Sequence, residues 1–298
     1  MKHIFIVNQI SGKGKVLSLV DTVKKIAEEK AIDYIIEITE KPGHAEELAR
    51  KYCKDDNILY AVGGDGTILE VLNGIDDSHQ LGIIPAGSGN DFYRLIGPKN
   101  DNYEQVISDT IDAEAKRIDI GVNDKMRFLN VTSFGIDADV NDYASFLIRK
   151  TIFNKDMAYI LGILKNVIVF HPKHLKLDID GKKVEDDFLI VAIMNGRYYG
   201  NGVPSAPNSD VQDGYFDICL LRNIPKLKAY NFLAHYLKGK HLGMEGFEII
   251  RAKKIKIEAD SLISVQSDGE NFKVDKMTCE IKKDFLLLKV PSYLAIIH

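Results

Sequence analysis

Five residues, Gly63-Gly64-Asp65-Gly66-Thr67, follow the apolar run ILYAV and precede the helix-like stretch TILEVLNGI. Glycines at such a junction let the chain turn sharply and aim N–H groups at a ligand, and a helix start favours negative charge. A carboxylate inside an anion-binding loop repels phosphate unless a cation intervenes. Asp65 therefore points to magnesium, held directly or through water. The alternative, a plain D-G hairpin turn, is disfavoured by the strand–GGDGT–helix context. A second loop, Pro85-Ala86-Gly87-Ser88-Gly89-Asn90-Asp91-Phe92, again combines small residues with a hydroxyl and an acid. A third, Asn8-Gln9-Ile10-Ser11-Gly12-Lys13, closes the first apolar run. Neither a GxxxxGK[ST] loop nor a GxGxxG fingerprint is present, which argues against P-loop and dinucleotide sites.

The elements that must position these loops alternate. HIFIVN (3–8), YIIEIT (34–39), ILYAVGG (58–64) and LGIIPAG (81–87) read as buried strands. VLSLVDTVKKIAEEK (16–30), GHAEELARKYC (43–53), TILEVLNGI (67–75) and NYEQVISDTI (102–111) read as helices between them. Such alternation means βαβ units around a mostly parallel sheet, with the three glycine loops side by side at one edge. After about residue 117 the pattern changes to short strand-like runs, among them DFLIVAIMNG, YFDICLL, KIKIEA and ISVQSDG. That pattern fits a β-sandwich, interrupted by helix-like stretches at roughly 143–169 and 226–239. The expected domains are 1–122, α/β, and 123–286, β-sandwich. The tail of about 287–298 is expected to pack back on the first.

The chain has 298 residues, 45% hydrophobic and 28% charged, with a net charge of −4. This composition suits two globular domains and argues against disorder and against a dedicated nucleic-acid binder. Residues 1–125 carry −7 and residues 126–298 carry +3, so the second half is the one expected to meet an anionic surface such as membrane phospholipid. Met157 to Phe170 holds Lys165 and Asn166 and falls short of the ~20 apolar residues of a membrane span. The N-terminus lacks a signal-peptide pattern. Cys53, Cys219 and Cys279 are odd in number and widely spaced. The expectation is a cytoplasmic protein with peripheral membrane contact.

Ser11-Gly12, Thr39 with Gly43-His44-Ala45, GGDGT and GSGNDF occur in an order and spacing that resembles the diacylglycerol kinase catalytic-domain family. That family includes bacterial lipid kinases and sphingosine kinases and is related to phosphofructokinase and NAD kinase. Phe134-Gly135-Ile136-Asp137-Ala138, Ala206-Pro207 with Asp213-Gly214, and Ser267-Asp268-Gly269-Glu270 extend the resemblance over nearly the whole chain. It implies a Rossmann-like three-layer α/β nucleotide domain followed by a β-sandwich. It implies that Asn8, Ser11, Gly12, Thr39, Gly63, Gly64, Asp65, Gly66, Thr67, Glu70 and Ser88 contact ATP. Glu270 is implied as general base, and Asp65, Asp91 and Asp213 as an acidic network. Asp213, with the carbonyls of Asp210 and Tyr215, is implied to hold a structural magnesium ion.

Ile68-Leu69, Ser88, Tyr93 and Asn208-Ser209 depart from the family pattern, and none of these changes removes a proposed catalytic carboxylate. The implied reaction is ATP-dependent phosphorylation of a membrane lipid hydroxyl, with diacylglycerol giving phosphatidic acid as the first expectation. A polyprenol, a sphingoid base or phosphatidylglycerol are alternative acceptors, and a homodimer is a further expectation. An NAD-kinase-like enzyme for a soluble substrate is the runner-up, although the Asn-Glu dipeptide of that family is absent. A non-catalytic nucleotide-binding protein would have no chemical need for the retained carboxylates.

Overall fold

The structure is a computed structural model and describes residues 1–14, 16–97, 102–135 and 172–291. β1 (Lys2–Val7), β2 (Tyr34–Ile38), β3 (Asn57–Gly63) and β4 (Gln80–Pro85) lie parallel in the order β2-β1-β3-β4. Both faces of this sheet are covered, which is why β1 and β3 read as continuous apolar runs rather than as alternating ones. Ile4, Ile6, Leu59, Ala61 and Ile83 pack on α2 (His44–Tyr52) and α3 (Asp65–Gly74). Phe5, Val7, Tyr60, Val62 and Ile84 pack on α1 (Val16–Glu29) and, beyond the short α4 (Tyr93–Ile96), on α5 (Tyr103–Asp112). The result is a three-layer α/β domain, as the resemblance implies, around the parallel sheet that the alternation predicts.

The remaining strands form the β-sandwich domain. They are β5 (Glu114–Asn123), β6 (Arg127–Phe128), β7 (Val131–Gly135), β8 (Lys173–Ile179), β9 (Lys182–Met194), β10 (Tyr198–Tyr199), β11 (Val203–Pro204), β12 (Phe216–Arg222), β13 (Phe247–Ala252), β14 (Lys254–Ser267) and β15 (Glu270–Val290). α6 (Lys226–Tyr236) packs on one face of it, where Ala229, Phe232 and Tyr236 are buried.

Two strands are longer than the sequence pattern suggests. KIKIEA and ISVQSDG are one strand, β14, whose register slips between Glu258 and Ile263. β15 pairs with β14 through its first half and with β5 through its second, and Leu287–Leu288 pair in parallel with β4. Leu286, Leu288 and Val290 lie in the core of the α/β domain. The end of β15 thus packs back on the α/β core, and the expected limits at 122 and 286 both fall inside strands that run through the junction. Asp119, fully buried, fixes that junction. Its carboxylate accepts N–H bonds from Gly214 (2.6 Å) and Asp284 (2.8 Å).

Some expectations meet the structure elsewhere. The stretch 143–169, Met157 to Phe170, His171, and Ile136 to Ala138 lie outside the described residues. His174 lies on the exposed face of β8 and hydrogen-bonds Asp187 and Glu185. Asp186 lies in β9 and pairs with Arg222 at 2.6 Å.

Candidate active site

The loops after β1, β3 and β4 converge at the carboxyl ends of the strands. Asn8 closes the first loop on the third, since its Nδ2 donates to Thr67 Oγ1 at 3.0 Å. A side chain at Gly63 would place its Cβ 2.3 Å from the same Oγ1. A Cβ at Gly87 would stand 2.4 Å from Gly64 Cα, so the two glycine loops meet backbone to backbone. Here glycine is needed for close approach. α3 begins at Asp65, inside the GGDGT motif, two residues before the expected start.

Asp65 and Asp91 are tied together through the second loop. Asp65 Oδ1 accepts the Asp91 N–H at 2.7 Å, and Asp91 Oδ2 accepts the Asn201 N–H at 3.0 Å from the β-sandwich. Asp91 Oδ1 is buried without a hydrogen-bond partner, and its nearest cation is Arg94 Nε at 3.6 Å. These carboxylates border an interdomain cleft of about 390 Å³. Ile68, Leu69, Ser88 and Phe92 line it from one domain, and Leu129 to Val131, Tyr199 to Asn201, Gln266 and Asp268 from the other.

The cleft lining holds three carboxylates and no lysine or arginine among the described residues. Burial pushes Asp91 up to about 6, with the charge of Asp65 adding to it. Burial also raises Asp65, against several backbone N–H bonds that oppose it. Such a site disfavours its own charge and accommodates a polyphosphate only with a hard cation. The orphaned oxygen of Asp91 fits that need. The three carboxylates do not converge to chelate an ion by themselves. Among the described residues, only Cys53, Asp76 and His79 bring three such ligand atoms within 4.8 Å of one another. A water-rich magnesium ion shared with nucleotide phosphates suits this spacing.

Asp268 has a role that the sequence does not announce. It adopts φ 43°, and its carboxylate accepts the N–H groups of Leu129 (2.5 Å), Asn130 (3.1 Å) and Val131 (2.9 Å). It is the pin that holds one wall of the cleft, and burial raises it to about 6. Glu270, two residues on, is exposed at the start of β15 and carries no partner among the described residues. It lines a neighbouring depression with Gly43, Leu69, Glu70, Lys125 and Met126. Leu69 borders both spaces.

Of the expected nucleotide contacts, Asn8, Thr39 and Glu70 line a third, adjoining space with Gln9, Ile10, Lys41 and Pro42, while Asp65 and Ser88 line the cleft. Ser11 donates its N–H to the Asn8 carbonyl at 3.0 Å, and Gly12 takes φ 59° in the short helix that follows. Thr39 is buried, with its N–H on the Val7 carbonyl. Glu70 spends both oxygens on the N–H groups of Gly43 (2.9 Å) and Ala45 (3.0 Å). It caps α2 and shapes this space, so its carboxylate is engaged by the protein itself.

The expected structural metal loop is occupied differently. Asp213 Oδ1 accepts the Tyr215 N–H at 2.9 Å, and its Oδ2 accepts from the Arg251 guanidinium. Arg251 also approaches Asp217 Oδ1 at 4.0 Å and stacks 4.7 Å above the Tyr215 ring. Asp210 accepts the Gln212 N–H. Burial, with Asp210 and Asp217 as like charges, raises Asp213 against the pull of Arg251. Arg251 thus supplies the cation beside Asp213 where the resemblance implies magnesium.

Residues 2–122 match the family description "Diacylglycerol kinase catalytic domain", and residues 130–290 match "YegS C-terminal NAD kinase beta sandwich-like domain". YtlR of Bacillus subtilis is 30% identical over 289 residues, covering 91% of this chain and 94% of that one. The chain belongs to the diacylglycerol kinase family. A diacylglycerol kinase of the same organism is 27% identical over 221 residues, covering 73% of this chain and 72% of its own. One of Mycobacterium tuberculosis is 29% identical over 274 residues, covering 88% and 86%. The fold is that of a diacylglycerol kinase crystal structure from Bacillus anthracis, with a TM-score of 0.73 at 22% identity over 99% of this chain and 98% of that chain.

Sequence reasoning missed Asn201 and the pinning role of Asp268. The run Gly200-Asn201-Gly202, all at positive φ, was a readable signal for a special backbone. Nothing in the sequence alone shows that Asn201 offers its N–H across the domain junction.

Proposed function

We propose that the protein transfers the γ-phosphoryl group of ATP to the hydroxyl of a membrane lipid, with diacylglycerol as acceptor. The observation that carries this reading is the acidic cleft between the domains, where two glycine loops meet and Asp91 Oδ1 is buried without a hydrogen bond. Family membership supports the reaction class. ATP lies on the loops after β1, β2 and β3, with backbone N–H groups and the α3 N-terminus facing its phosphates. Magnesium, when bound, neutralises charge on the transferring group and leaving oxygen. Asp65 and Asp91 would hold it, in part through water.

Glu270 takes the proton as the acceptor oxygen forms its bond to phosphorus and the bond to ADP breaks. A base needs a free lone pair: Glu270 has one, whereas Asp268 gives its oxygens to three N–H groups. Ile68, Leu69, Phe92, Leu129 and Val131 supply apolar wall beside the carboxylates, which suits a glycerol backbone with acyl chains.

The test is label transfer from ATP into the organic phase of mixed micelles, with Glu270→Gln beside wild type. Turnover in the variant should fall by about 10²–10⁴-fold, toward the lower end because loose transition states need little help with the nucleophile. Its ATP affinity should hold. Unchanged turnover would remove Glu270 from the base role and make Asp91 the next candidate.

A further inference from the structure

The segment 224–244 carries four lysines, two histidines and no aspartate or glutamate, in a chain whose net charge is −4. It forms α6 and the turn that folds back on it. Lys240 donates its N–H to the His235 carbonyl, and Gly239, at φ 66°, donates to that of Tyr236. Ala229, Phe232 and Tyr236 bury one face of α6. Leu227 lies on the opposite face and is 83% exposed. At the other end of the helix, Leu237 and Leu242 are also exposed, at 37% and 44%.

Lysines interleave these leucines. Lys228 pairs with Glu245 at 2.6 Å. Lys238 and Lys240 are exposed and have no ion-pair partner among the described residues. Bare leucines among lysines are costly against water and match an interface of acyl chains under anionic headgroups.

The buried side of the same helix stands behind the cleft wall. Tyr199, which lines the cleft, shares a hydrogen bond of 3.0 Å with the Tyr236 hydroxyl, and Tyr236 donates to Ser205 Oγ at 2.8 Å. His241 Nε2 donates to the Ser205 carbonyl at 3.0 Å, which docks the turn onto the same wall. One helix thickness, about 10 Å, separates the outer leucines from the cleft.

The geometry points to α6 and its return turn, Lys226 to Leu242, as the surface that seats the protein on an anionic lipid membrane. α6 lies in the headgroup plane, Leu227, Leu237 and Leu242 enter the acyl boundary, and Lys238 and Lys240 meet the phosphates. This assignment rests on the reading under Proposed function and names the surface through which the lipid acceptor arrives.

Sedimentation with phosphatidylcholine vesicles, with and without about a third phosphatidylglycerol, tests it. Two variants accompany wild type: Leu227→Ser/Leu237→Ser/Leu242→Ser and Lys238→Glu/Lys240→Glu. Both should bind the anionic vesicles at least about tenfold more weakly, with unchanged thermal midpoints. Wild-type binding should fall with salt. Vesicle binding that is absent in wild type, or as strong in both variants as in wild type, overturns the assignment. So does a wild-type dimer that the leucine variant dissolves, because a second copy would then be what covers the leucines. The vesicle readout needs neither ATP nor acceptor. Weakened binding in variants of a protein that phosphorylates no lipid would therefore sink the lipid-kinase reading and leave this surface standing. Lipid phosphorylation with vesicle binding indifferent to both variants would do the reverse.

Discussion

Two clusters of aspartates sit about the domain junction, and they solve their charge problem in opposite ways. In the Asp210–Asp217 loop, Arg251 lies between Asp213 and Asp217, and backbone N–H groups take most of what remains. In the cleft, no lysine or arginine belongs to the lining, Asp65 adds its charge to Asp91, and one buried oxygen of Asp91 has no hydrogen bond, with Arg94 Nε 3.6 Å away. A buried acceptor without a partner costs free energy and persists only where something else repays it. The first cluster is complete as folded. The second, on the proposed function, is completed by a cation and a phosphate. That difference, rather than the number of carboxylates, marks the site.

The largest effect that would sharpen this contrast is on turnover. Asp91→Asn keeps an acceptor for the Asn201 N–H but removes the charge, and should lower turnover by about 10²–10³-fold. The same variant should change the pH dependence of stability. Asp91 is raised to about 6 in the folded protein, above its ordinary value of roughly 3.9, so the folded state holds a proton that the unfolded chain releases. Its stabilising contribution is full below about pH 4 and is lost as pH rises through about 6. Melting between those values should fall less steeply in Asp91→Asn than in wild type. Asp76, lowered to about 2 by His79 and Ser78 against burial, acts only below this window. Identical melting profiles would mean that Asp91 is not held in the strained, buried state described.

A smaller effect belongs to the pin. Asp268→Ala strips the acceptors from three N–H groups and should destabilise the fold by about 2–4 kcal/mol, read by denaturant unfolding. A loss of turnover without loss of stability would make Asp268 chemical rather than structural.

The smallest effect is expected in the satisfied cluster. Arg251→Ala breaks a half-exposed pair and should cost under about 1 kcal/mol. It should also make the thermal midpoint respond to magnesium in the absence of nucleotide, because Asp213 then lacks its cation. Wild type should show no such response. A saturable magnesium shift in wild type would show that Asp213 holds the ion despite Arg251.

Much of this was legible before folding. The strand–glycine–helix junctions at Gly63 and Gly87 located the carboxyl edge of the sheet, because apolar runs covered on both faces have no other explanation in a chain of this composition. The acids at 65 and 91 were visible as anomalies in loops built for anions. Three things were not legible. The partners of Glu70 and Asp268 are N–H groups far away in sequence, and no local pattern records them. The continuity of β15 across the junction depends on Asp119 bonding the Asp284 N–H at a register slip, where the sequence reads only a break between strands. The occupant of Asp213 is Arg251, whose arrival is a product of β12 pairing with β13.

The central claim is that the interdomain cleft transfers phosphate to a lipid rather than to a soluble cofactor. The most direct measurement offers labelled ATP, diacylglycerol in mixed micelles and NAD in one tube, with and without the protein, and follows the label. The account predicts magnesium-dependent label in the organic phase as phosphatidic acid, with NAD unlabelled and the signal lost in Asp91→Asn. Label in NAD, or label in lipid that persists undiminished in Asp91→Asn, would contradict it.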